Sequence, residues 1–189
     1  MLGILVVLLA GCSTGGQASP ADPPATEQAT TSTLSLPPRP QDIRLDDVDP
    51  CTLLTRQQRA ELQLDQQPLP DKQPSVLYPG EVSSCSISGN VPAIAFYIQA
   101  VTTAGIEFFT TGQTASEVQI AEIAGFPAAI AAPMHTDDSC KALVDTAPGQ
   151  MLDVQARSAG ANPPIPEQEL CHDAEQAANM VMETLLDQR

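Results

Sequence analysis

Five cysteines and two histidines carry most of the reactive chemistry in this chain. His135 lies in a polar run, Met134-His135-Thr136-Asp137-Asp138, directly before Ser139, and His172 follows Cys171. Ser139, His135 and Asp138 together would make the parts of a nucleophilic triad. Triads are assembled from separated segments, however, and no Gly-x-Ser-x-Gly turn is present. This run is therefore expected to be a surface loop. Asp137, Asp138 and Asp145 offer carboxylates to calcium, but without the alternation and trailing Glu of an EF-hand loop. Of Asp46, Asp47 and Asp49, the last suits a helix cap, and the other two read as a solvated edge rather than a glycosidase pair. No glycine-rich phosphate loop occurs. The expectation is no catalytic residue, no metal ligand and no cofactor, with the balance against an enzyme.

Cys12 stands apart from the other cysteines. It follows an apolar run, Leu-Gly-Ile-Leu-Val-Val-Leu-Leu at positions 2–9, and then Ala10-Gly11. A bilayer-spanning helix needs about 20 apolar residues, so this run fits the core of a signal peptide instead. Leu9-Ala10-Gly11-Cys12 resembles the lipobox of bacterial lipoprotein precursors. That resemblance implies cleavage of residues 1–11, diacylglycerol on the Cys12 sulfur and acylation of the new amino group, palmitate being the expected acyl chain. Two or more acyl chains anchor stably where one would be marginal. The expected location is the extracytoplasmic face of the cell membrane. No Lys or Arg lies between Met1 and Cys12, so a few basic residues are expected upstream of Met1.

Cys51, Cys85, Cys140 and Cys171 remain, and an even number in an oxidising compartment reads as two disulfides. Four cysteines allow three connectivities. Cys51–Cys85 with Cys140–Cys171 is favoured, because each bond then links neighbouring elements within one half of the domain. Each would close a loop of about 30 residues, worth roughly 3.5–4 kcal/mol in the chain-entropy model. A zinc site using these cysteines with His135 or His172 is disfavoured, since every spacing is long and no Cys-x-x-Cys pair occurs.

Composition narrows the partners. The net charge is −15, and no cluster of Lys and Arg exists to displace counterions, which argues against nucleic acid and against polybasic docking on anionic lipid. Residues 12–43 are Ser-, Thr-, Pro- and Gln-rich with little to pack, and are expected to form a tether that holds the folded domain, residues 44–189, off the membrane.

Within that domain, Asp49-Pro50 and then the Thr55 to Gln58 spacing predict two short turns or one broken helix over 50–64. Pro68, Pro70, Pro74 and Pro79 predict a loop. Strands are expected at 82–88, with a turn at Gly89-Asn90, then at 93–101, 117–123, 128–132, 139–145 and 151–156, the last pair joined by Ala147-Pro148-Gly149-Gln150. Residues 105–111 fit either a helical turn or a strand. Cys171, Ala174, Ala178, Val181 and Leu185 form one apolar stripe of a final helix, with Glu167, Glu169 and Asp173 in its first turns. The fold class is α+β: a single antiparallel sheet with the N- and C-terminal helices packed on one face, closed by two disulfides.

Asp49-Pro50-Cys51-Thr52-Leu53-Leu54-Thr55, Gly125-Phe126-Pro127-Ala128 and Cys171-His172-Asp173-Ala174, in this order, resemble the DUF3558 family, lipoproteins of actinobacteria. The resemblance covers roughly residues 47–186. Ile87 stands where members commonly carry an aromatic residue. It implies export, an α+β domain and paired cysteines, and it carries no catalytic residues with it. The expected role is a noncatalytic module that engages an envelope component, a secreted protein or a small ligand. An accessory cell-wall enzyme and a sensory domain for a membrane partner are the alternatives.

Overall fold

The computed structural model describes residues 35–189; the signal peptide, Cys12 and most of the expected tether lie outside them. A 3-10 turn at Pro50–Thr52 precedes helix α1 (Arg56–Glu61). Strands β1 (Leu69–Pro74), β2 (Glu81–Asn90) and β3 (Ala93–Val101) follow, then the short helix α2 (Glu107–Thr110). Strands β4 (Ser116–Ile123), β5 (Phe126–Pro133), β6 (Ser139–Ala147) and β7 (Gln150–Ser158) lead to helix α3 (Glu167–Asp187). All seven strands form one sheet in the order β1-β2-β3-β7-β6-β5-β4, every neighbour antiparallel. It is thus two meanders joined along the β3–β7 seam. The α+β class is as the sequence predicts.

Alternation along the strands divides their side chains between two faces. One face carries Cys85, Phe96, Ile98, Ala128, Ala142, Val154 and Ala156, and packs on α3 and on Leu53 and Leu54 of the N-terminal turn. Helix α3 presents Ala174, Ala177 and Ala178 to it, all fully buried. Small residues on both sides let the helix lie close to the sheet, which is how a core with few aromatic residues fills its volume. Thr55 caps α1 in a capping box with Gln58, whose side chain also reaches the α3 carbonyl of Met180 at 3.0 Å.

Both disulfides sit on this face. Cys51–Cys85 ties the 3-10 turn to β2 with Cα atoms 5.0 Å apart, and Cys140–Cys171 ties β6 to α3 at 4.8 Å. The favoured connectivity is therefore the one found.

The opposite face is covered only in part. Tyr78, Phe108 and Phe109 stack edge to face over Met151, Leu143 and Ala129. Tyr97, Gln99 and Gln155 remain half-buried beyond them.

Three expectations need correction. The proline-rich loop contains β1: Pro70 and Pro74 lie on an outermost strand, where a residue without an N–H costs no ladder bond. The turn expected at Gly89-Asn90 falls at Val91-Pro92, and β2 runs through to Asn90. Gly89 is there for close approach, since a Cβ would collide with the backbone carbonyl oxygen of Gln63. Finally, packing begins before Arg44. Leu36 packs on the second cluster, Arg39 pairs with Asp145 at 2.6 Å, and Ile43 is buried with its N–H donating to the Thr146 carbonyl at 2.6 Å.

Candidate functional site: an acidic cleft beside the sheet edge

Strands β4 and β5 form a hairpin whose turn residues, Ala124 and Gly125, have φ of 50° and 80°. Positive φ at both central positions is the type I′ turn that matches strand twist. Beyond the hairpin, the segment 134–138 loops back toward the start of α3. Between them opens a cleft of about 500 Å³ lined by Glu117, Pro133, His135, Asp137 and Glu167. An adjoining hollow of about 320 Å³ shares Glu117 and Glu167 and adds Gln119, Ile130 and Gln168. No Lys or Arg lines either one. Acidic side chains thus meet at the open first turn of a 21-residue helix, which has no side-chain cap.

Of the reactive residues named from sequence, only His135 and Asp137 come together. His135 and Asp137 are exposed in this cleft, as the surface-loop expectation requires. Asp138 turns away and pairs with Arg157 at 3.1 Å. Ser139 is buried at the head of β6. His172 is exposed on α3, where its charge tempers the carboxyl of Asp173. That carboxyl is held above its ordinary value, first by burial and then by Glu169. Among the described residues no group of three or more His, Cys, Asp and Glu is placed to hold a metal ion. Asp49 caps the 3-10 turn, its carboxylate accepting from the Cys51 N–H at 2.9 Å. Asp46 accepts from Gln150 and Arg44, which hold its carboxyl below the usual range.

One polar cluster has no signal in the local sequence. Asp153 of β7 is fully buried on the second face, where its Oδ2 accepts from the Tyr78 hydroxyl at 2.5 Å and from Lys141 Nζ at 2.6 Å. Its Oδ1 is buried without a partner among the described residues. Burial, then the neighbouring Asp153 charge, push the Tyr78 hydroxyl far above its ordinary pKa, so it stays protonated and donates. Neither the acidic cleft nor its adjoining hollow reaches this cluster. It reads as a structural tie between the loop before β2 and the seam of the sheet. Near it, Asp145 is raised by burial, and Arg39 partly offsets the shift.

Fold and cleft together define a disulfide-stapled α+β domain with an open acidic groove at one sheet edge. The family profile described as "Protein of unknown function (DUF3558)" matches residues 7–184, and the chain belongs to that family. Neither the curated proteins nor the solved structures hold a match to it. No helix of the described residues is long and apolar enough to cross a membrane.

Proposed function

We propose that the chain is a lipoprotein anchored through Cys12 on the extracytoplasmic face of the membrane. Its domain is a noncatalytic module that binds an envelope component or a secreted protein. The observation that carries this reading is the pair of disulfides, since such bonds form and persist where thiols are oxidised. The lipobox-like Leu9-Ala10-Gly11-Cys12 supports the same compartment. The cleft supports the binding role: it is open and acidic, and of the reactive side chains only His135 and Asp137 share it.

Two measurements test it. Labelling with a lipid precursor is expected in the wild type and lost in Cys12→Ala; unchanged labelling would remove the anchor. A second reading, an accessory cell-wall enzyme, is favoured by one observation, the shared place of His135 and Asp137 in the cleft. Substituting His135 alone with Ala separates the two, since it leaves the cleft's carboxylates in place. Full rescue of a deletion phenotype is expected of an acidic binding module, and failure to rescue with a folded protein favours the enzyme.

A further inference from the structure

The sheet has two free edges, and only one is sealed. On β1, two of six residues are proline, and Lys72 stands between them. Proline and lysine are devices that keep an edge from pairing. On β4, eight residues run without proline, and among the described residues no backbone bond other than those to β5 involves positions 116–122.

The type I′ turn fixes which groups face outward. Ile123 and Phe126 flank it as the closing hydrogen-bonded pair, and bonded pairs then recur at every second residue. Ala121, Gln119 and Glu117 therefore bond inward to β5. Val118, Ile120 and Glu122 direct their N–H and C=O groups away from the sheet. The side chains divide in step with the backbone. Glu117 and Gln119 lie on the α3 face and line the cleft, while Val118 and Ile120 lie on the other face, Ile120 being 39% exposed.

We propose that the β4 edge and the cleft beside it form one strand-docking site, whose occupant is an extended peptide that alternates basic and apolar residues. This rests on the reading of the domain as a binding module. An added strand would take its main-chain bonds from Val118, Ile120 and Glu122. Its side chains would fall alternately on the two faces. Those on the α3 side meet Glu117 and Glu167, with Asp137 further along the cleft, which selects Lys or Arg. Those on the other side meet Val118 and Ile120, which selects apolar residues. A second copy of this chain is the poorer occupant, because two β4 edges side by side bring together the carboxylates of both clefts.

The test follows amide hydrogen exchange in the full chain with a blocked peptide of alternating Lys and Val, and with its Glu–Val counterpart as control. Slowed exchange at Val118, Ile120 and Glu122 is expected with the Lys–Val peptide alone. Ile120→Pro removes an outward N–H and leaves the inward bonds of Gln119 and Ala121 in place. It should weaken binding roughly tenfold or more. A second variant, Glu117→Gln with Glu167→Gln, touches no backbone bond and should weaken binding and flatten its salt dependence. The proposal fails if the Lys–Val peptide does not bind, or binds equally well to Ile120→Pro that retains the Gln119 and Ala121 protection. It also fails if Val118, Ile120 and Glu122 are protected without peptide: with concentration dependence the occupant is a second copy, without it the chain's own residues. Photo-crosslinkers placed in cells at Gln119 and at Gln155, on opposite faces, separate this proposal from the broader one. Capture of a partner only from Gln155 overturns the β4 site and leaves the binding module standing. Capture from neither overturns both.

Discussion

The two faces of the sheet are closed by different chemistry. Under α3 the packing is apolar: alanines and branched aliphatics interlock, and both disulfides cross from the sheet to the helical layer. The other face is roofed by a four-residue helix and a trio of aromatic rings, and its centre holds an ionised cluster around the fully buried Asp153. The first face is held by covalent bonds and close contact, so it tolerates little change in volume. The second is held by charge and hydrogen bonds, so its strength depends on every partner being present. The faces should therefore fail in distinct ways.

The largest effect is expected on the first face. Cys140→Ala with Cys171→Ala should lower unfolding stability by roughly 3–4 kcal/mol, through the freed entropy of the opened loop. Denaturant midpoints measure it, and a loss below about 1 kcal/mol would show that close packing, not the bond, holds α3 down.

On the second face, Lys141→Met strands the buried Asp153 charge and should cost about 3 kcal/mol. Adding Asp153→Leu and Tyr78→Phe removes the whole cluster and should restore most of that stability, since well-packed apolar groups often replace a buried ion pair without loss. Should the triple variant remain as unstable as Lys141→Met, the two faces differ in more than their choice of glue.

The smallest effect is one of pH. Burial raises the Asp145 carboxyl above its unfolded value, with Arg39 working against the shift. The stability linked to this proton is therefore full below about pH 4, and is lost as pH rises through the folded value. Arg39→Gln should push that loss to higher pH, and Asp145→Asn should abolish it. Denaturation midpoints across mildly acidic pH give the answer, and identical profiles for all three proteins would remove Asp145 from the account.

The first face was far more legible in the sequence than the second. The α3 stripe, the capping box at Thr55 and the hairpin at Ala147-Pro148-Gly149-Gln150 are local patterns with local causes. The disulfide pairs were legible because each joins cysteines about a loop apart. The Tyr78–Asp153–Lys141 cluster was not, because it depends on strand register across a separation of 75 residues, and Asp153 on its own is one polar residue in a strand. β1 was hidden for the opposite reason. Its prolines are a strong local sign of a loop, and only its place at the rim of the sheet makes them harmless. His135 and Asp137 were correctly placed in a loop, but the cleft around them depends on Glu117 and Glu167, which come from other elements.

The disulfide connectivity has a consequence for how the domain is made. Among its four cysteines the pairing is consecutive, first with second and third with fourth. When such a chain is threaded through a pore with its N-terminus leading, Cys85 emerges to find Cys51 as the only unpaired thiol of the domain. Cys171 later finds only Cys140. On the proposed export route, oxidation in order of arrival yields the native bonds with no wrong pair to be undone.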